Sequence, residues 1–234
     1  MARDPLLLQY YQLLPGPKSP GRPADKKREF RKGLTKFKRS VEARYNEATL
    51  QRLLRWPTAD VRQASVLALG LAGTMKANSG LAACLHDDDS TVRRYAAEAM
   101  WSIWFRADTP EHNAELQRII LMRIDEVGPE VILNDFEALL RKAPRFAEAH
   151  NQRGIVLFRC GEYPRAAADC DRALRLNPCH FGAASGLAQC FMKQKKLRAA
   201  LRTFRRALRI NPNLDGVRQT ISSIERLLGE EGKR

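Results

Sequence analysis

Four histidines (His86, His112, His150, His180) and five cysteines (Cys84, Cys160, Cys170, Cys179, Cys190) are the side chains of this sequence best equipped to hold a metal or attack a substrate. Their spacing favours neither role. No cysteine pair stands in C-x-x-C register, and the histidines share no ligand spacing. Each histidine is read as structural or surface-placed. Cys170 and Cys190 fall where a helix wants small apolar side chains. The run Asp87-Asp88-Asp89 could draw a cation, but it lacks the further oxygen ligands of a calcium loop and stands where a helix needs a cap. Neither G-x-x-x-x-G-K-[ST] nor G-x-G-x-x-G occurs. No catalytic residue, metal or cofactor is expected.

What remains is the chemistry of binding. The formal net charge is +15, and it is unevenly distributed: +8 over residues 1–45, −1 over 46–180 and +8 over 181–234. Cationic ends attract nucleic acid, acidic lipid or acidic protein. Two clusters could supply the contact. Lys26, Lys27, Arg28, Arg31 and Lys32 lie near the start; Arg198, Arg202, Arg205, Arg206 and Arg209 share one face of a helix near the end. Guanidinium forks suit phosphate and carboxylate. Aromatics are not interleaved with the arginines, so bases have no stacking platform; an ordinary solvated face is the competing reading. No apolar run approaches the roughly 18 residues of a membrane span. The first fifteen residues make a poor signal peptide, so a cytoplasmic location is expected.

The elements that must position these side chains are helices in repeating units. Pro144, Pro178 and Pro212 are spaced 34 residues apart, and similar segments precede the last two, Arg172-Ala-Leu-Arg-Leu-Asn-Pro178 and Arg206-Ala-Leu-Arg-Ile-Asn-Pro212. A fixed period of that size marks an array of small helical units. Six segments follow. Residues 1–23, rich in Pro and Gly, are expected to be a flexible leader with no helix. Residues 24–45 carry the stripe Phe30, Leu34, Phe37, Val41 and Tyr45, a basic amphipathic helix that either caps the array or binds a polyanion. Residues 46–108 hold a second repeat of 31 residues, in which Val61-Arg62 matches Val92-Arg93. Each of its units reads as a short helix, a turn bearing capping residues around Thr58 or Asp87–Ser90, and a longer helix. Residues 109–146 form a transitional pair, its first helix striped by Leu116, Ile119, Ile120, Ile124 and Val127 and its second by Ile132, Phe136, Leu139 and Leu140. Two full units fill 147–214. The segment 215–234 is a terminal helix, capped by Asp215, followed by a loose tail from Gly229.

Residues 46–108 resemble HEAT repeats in the short form of phycobilin-lyase-type proteins, where a turn aspartate and the arginine after the valine link neighbouring units; Arg62, Arg93 and Asp87 to Asp89 fill those slots. Residues 147–214 resemble tetratricopeptide repeats. Gly154, Leu157, Gly161, Tyr163, Ala166, Cys170, Ala173, Leu174 and Pro178 match the motif in one unit. Ala188, Phe191, Leu197, Ala200, Phe204, Ala207, Leu208 and Pro212 match it in the next, with Lys195 in the glycine slot of the turn. The resemblance implies an all-α, right-handed helical-repeat solenoid, a HEAT-like pair followed by the tetratricopeptide array and a capping helix. It also implies a concave groove lined by the first helix of each unit. That places Glu148, Asn151, Ile155 and Arg159, then Gln189, Met192 and Lys193, then Gln219, Ser223 and Arg226 along the groove. The lysine–asparagine clamp that some members use for acidic chaperone tails is incomplete, since Ile155 and Gly182 occupy positions that need polar ligands. The function implied is a non-catalytic adaptor that holds a peptide or protein segment. A nucleic-acid-associated protein working through its basic ends is the alternative, and an accessory of a bilin-lyase-like system is the third reading.

Overall fold

A computed structural model describes residues 4–15 and 23–231, all in helices, turns and connecting segments, with no strand among them. They fall into two compact units, residues 1–103 and 104–234.

In the first unit, α1 (Leu6–Gln12) and α2 (Pro23–Glu42) precede α3 (Glu47–Leu53), α4 (Ala59–Ala72), α5 (Asn78–Cys84) and α6 (Ser90–Trp104), whose last residue belongs to the second unit. The leader is therefore not without helix. Its prolines, Pro5 and Pro15, flank Leu6–Gln12 rather than interrupt it, and Pro5 occupies the capping position of α1. Leu7 is fully buried, its amide donates to the Tyr45 hydroxyl at 2.9 Å, and the Tyr11 hydroxyl donates to Gln63 Oε1 at 3.0 Å. The rest of the expected leader, residues 1–3 and 16–22, lies outside the described residues. On α2 the apolar stripe is used unevenly: Phe37 and Val41 are buried, whereas Phe30 is 41% exposed.

The short-helix, turn, longer-helix order appears twice, in α3–α4 and α5–α6. Asn46 Oδ1 accepts the Thr49 amide at 2.8 Å and starts α3, and Asp89 Oδ1 accepts the Val92 amide at 2.8 Å and starts α6. Such caps are worth about 1 kcal/mol each. Thr58 holds the capping position of α4 but makes no side-chain bond there. The two longer helices approach closely at Gly70, where an added Cβ would stand 2.9 Å from the Ala99 Cβ.

The second unit comprises α7 (Pro110–Ile120), α8 (Ile124–Val127), α9 (Pro129–Lys142), α10 (Ala147–Arg159), α11 (Tyr163–Leu176), α12 (Phe181–Lys193), α13 (Leu197–Ile210) and α14 (Val217–Glu231). From α9 onward each helix packs on the next. The periodic prolines act through the residue before them. Ala143, Asn177 and Asn211 all leave the helical region, with φ of −123°, −135° and −130°, because a proline ring clashes with a helical predecessor. Asn177 and Asn211 are buried and accept the amides of Cys179 and Asn213 at 3.2 and 3.0 Å, turning the chain into the next unit.

Three apolar clusters follow in sequence. One joins α7, α9 and the start of α10 around Phe136 and Phe146; the next joins α10, α11 and α12 around Leu157, Cys170 and Leu187; the last joins α12, α13 and α14 around Phe204 and Ile224. At Gly154 an added Cβ would meet the Cys170 Sγ at 3.2 Å and the Ala166 carbonyl at 3.3 Å, so the smallest residue sits where α10 and α11 approach. Three expectations change here, one being the loose tail from Gly229, since the last helix runs on through Gly229 to Glu231. The first transitional helix stops at Ile120 instead of running to Val127, because the turn through residues 121–123 packs Met122 and Ile124 against the Phe136 cluster. The last helix starts at Val217, so its capping position falls on Gly216 (φ 72°) rather than on Asp215.

Candidate protein-interaction surface

The residues expected along the groove separate into two sets. Ile155 (45% exposed), Arg159, Gln189, Lys193, Gln219, Ser223 and Arg226 are exposed on α10, α12 and α14, and Met192 is half-buried against the last cluster. Their spacing explains this. Positions four residues apart share a helix face, and the opposite faces carry buried Gly154 and Leu157, Ala188 and Cys190, and Val217 and Ile224.

Glu148 and Asn151 belong to the other set and turn inward. Glu148 is 0% exposed. Its Oε2 accepts from His180 Nε2 at 2.8 Å, while Oε1 accepts from Gln152 Nε2 at 2.6 Å and from Asn151 Nδ2 at 3.2 Å. His180 Nδ1 accepts the Ala183 amide at 3.1 Å as the cap of α12, which leaves the ring proton on Nε2, aimed at the carboxylate. The imidazole stacks on Trp104, with centroids 4.1 Å apart, and Phe181 tilts against the same indole. A buried polar group is costly unless bonded; here three donors satisfy one carboxylate and tie α10 to the start of α12. Nothing in the repeat marks His180, since the residues one period away are Phe146 and Leu214.

A second network lies beside it. Arg153 grips Asp169 through two bonds of 2.7 Å, and His150 faces Asp169 Oδ1 at 3.4 Å and the Pro144 carbonyl at 3.2 Å. Burial works to raise the Asp169 carboxyl, but the bonds from Arg153 and His150 outweigh it and hold the group below its ordinary value.

In the first unit the arginine and aspartate slots meet. Arg62 donates to both Asp87 oxygens at 2.8 Å and to the Trp56 and Pro57 carbonyls at 3.0 Å. Arg93 repeats the second half of this pattern on the Asp87 and Asp88 carbonyls, at 2.8 and 2.9 Å. Burial opposes ionisation of Asp87, yet the Arg62 bonds keep its carboxyl below the usual range. The acidic run is thus engaged in linking and capping. Among the described residues no group of three His, Cys, Asp or Glu could hold a metal. Burial pushes the Cys84 thiol up to about 11, far from a reactive thiolate at neutral pH.

The cationic clusters are exposed. Lys27, Arg28, Arg31 and Lys32 border a shallow hollow on α2, with Lys26 half-buried beside them. On α13, Ala200, Phe204 and Ala207 face the core, leaving Arg198, Arg202, Arg205 and Arg209 exposed and Arg206 half-buried; Arg205 pairs with Glu225 of α14 at 2.7 Å. Among the described residues no helix is long and apolar enough to cross a membrane.

This geometry agrees with the family models. Residues 147–178 match the tetratricopeptide repeat and residues 30–141 match HEAT repeats. The chain is 29% identical over 89 residues to a TPR repeat-containing protein of Rhizobium etli, covering 38% of this chain and 44% of that protein. It is 31% identical over 80 residues to sperm-associated antigen 1 of Mus musculus, covering 34% and 9%. The chain therefore spans less than half the length of these curated relatives. The tetratricopeptide domain of Sgt2 from Aspergillus fumigatus superposes with a TM-score of 0.50 at 17% identity, covering 55% of this chain and 85% of that one, a likeness of fold alone.

Proposed function

We propose that this repeat protein is a non-catalytic adaptor that holds a segment of a partner protein against the exposed face of α10, α12 and α14. One observation supports the reading above others. Three successive first helices present Ile155 and Arg159, Gln189 and Lys193, and Gln219, Ser223 and Arg226 to solvent, while their opposite faces are committed to the core. Such a mixed lining suits an extended or helical peptide, with an apolar anchor among polar contacts.

The test is affinity capture with the triple variant Ile155→Asp, Lys193→Glu, Arg226→Glu, against Arg172→Glu on an exposed face of α11. Capture lost in the triple variant, with its helical circular dichroism unchanged, is the expected result. An unchanged set of captured proteins would remove this face from consideration.

A second reading rests on α2, whose Lys27, Arg28, Arg31 and Lys32 are exposed together. A polyanion such as nucleic acid would bind there with an affinity that falls steeply as salt rises. Reversal of those four charges should flatten the salt slope; no affinity for unrelated DNA or RNA at low salt disposes of the idea.

A further inference from the structure

A cavity of about 770 Å³ lies in the second unit between α8, the first half of α9 and the α10–α11 turn. Its wall combines Ile124, Pro129 and Leu133 with four carboxylates (Asp125, Glu130, Glu137, Glu162) and two guanidiniums (Arg159, Arg165). Arg165 is already engaged, by Glu162 at 2.8 Å and Glu137 at 3.8 Å. Asp125 and Glu130 are exposed, with no ion pair to another described residue. The wall is net negative in a chain whose formal net charge is +15. The segment that supplies one side of it is also unusually apolar on its outside. Leu121 is 81% exposed, Val131 45%, Ile120 39% and Val127 38%, half of the exposed large hydrophobic residues among those described. Scattered exposed aliphatics are ordinary, whereas four within residues 120–131, the stretch that also supplies Ile124, Asp125, Pro129 and Glu130 to the hollow, mark a contact surface.

We infer that this hollow is a second docking site, and that it takes a cationic segment of a partner protein carrying an aliphatic or aromatic side chain. The lysines or arginines of the segment pair with Asp125 and Glu130 at the mouth, and the apolar side chain packs on Ile124 and Leu133. Charge complementarity decides the class. An acidic segment would meet Asp125 and Glu130, which no guanidinium of the wall holds, with Arg159 alone to answer, and like charge brought together at an interface is unfavourable. The inference rests on the adaptor reading but uses a surface that shares only Arg159 with the exposed face of α10, α12 and α14.

The experiment titrates the full chain with a fluorescein-labelled twelve-residue peptide of alternating lysine and arginine containing two leucines. A second peptide has glutamate in place of the basic residues. Saturable binding of the basic peptide, at least tenfold tighter than the acidic one, is expected. The double variant Asp125→Lys, Glu130→Lys should weaken it tenfold or more, and Leu133→Ser, which keeps the charges, severalfold. The triple variant of α10, α12 and α14 should bind it as the unaltered chain does, so failure of the two sites is distinguishable. Equal binding of both peptides, or no effect of the charge reversal, overturns the inference. Loss of peptide binding in the triple variant alone transfers the peptide to the other face. Concentration-dependent self-association abolished by Glu130→Lys, seen by sedimentation without peptide, would overturn it in favour of a second copy of this chain.

Discussion

Removing the Glu148 carboxylate separates a buried structural role from a surface binding role. Glu148→Ala leaves His180 Nε2–H and the Asn151 amide without an acceptor, and both residues are buried, at 0% and 2% exposure. Gln152 is only half-buried and can turn to water. An orphaned buried donor costs about 1–3 kcal/mol, so the two together give about 2–6 kcal/mol. For a chain of this size that lowers the thermal midpoint by about 2–4 °C per kcal/mol. Glu148→Gln retains the volume and one oxygen, but its NH2 must meet a donor, either His180 or the amide pair. His180 cannot escape by changing tautomer, because a proton on Nδ1 would face the Ala183 amide. One bond is lost, costing about 1–2 kcal/mol. Urea unfolding followed by circular dichroism measures both variants, and a cycle with His180→Phe should return a coupling of about 1–3 kcal/mol. A Glu148→Ala protein within about 0.5 kcal/mol of the parent, the scatter of ordinary surface substitutions, would mean that the carboxylate faces water and that the inward network is wrong.

Three further outcomes follow from the same geometry. Lys195 holds φ 58° at the turn where the preceding unit has Gly161 at φ 79°; Lys195→Gly should stabilise the second unit by about 1 kcal/mol and Gly161→Ala destabilise it similarly, both read as shifts in unfolding midpoint. Asp87 and Asp169 are held below their ordinary values in the folded chain. Their contribution is therefore complete above the unfolded value of about 4 and is lost as pH falls below it, so Asp169→Asn should lower stability at neutral pH and flatten its decline in acid, measured by denaturation from pH 7 to pH 2.5. Gly70→Ala puts a methyl group 2.9 Å from the Ala99 Cβ, which should cost about 1–3 kcal/mol of stability in the first unit and be partly relieved by Ala99→Gly.

Features governed by local stereochemistry were legible in the chain. Proline restricts its predecessor wherever it stands, so Pro144, Pro178 and Pro212 marked three helix ends that the structure repeats. The resemblance of the valine–arginine repeat to HEAT units implied a link between that arginine and a turn aspartate, and Arg62 and Asp87 make it. The candidate face came from the resemblance to tetratricopeptide repeats, and Ile155, Lys193 and Arg226 are exposed on the helices it named. The resemblance did not foresee that Glu148 and Asn151 turn inward. Both sit one turn or less from Ile155 or from each other, and a polar residue at the start of a helix ordinarily faces water. The sequence contains no local sign that His180 arrives from 32 residues away. The helix at Leu6–Gln12 was missed because the prolines around it were read as breakers when they are boundaries.

The chain by itself determined the helical units, their periods, where they end and which faces are apolar, since these follow from backbone stereochemistry and side-chain spacing along one helix. Tertiary structure alone decided which polar residues turn inward, how far α7 runs before Met122 and Ile124 pull the chain back to the core, and where carboxylates converge around a hollow. Those outcomes depend on groups distant in sequence meeting in space, where burial makes a satisfied hydrogen bond favourable and an unsatisfied one costly.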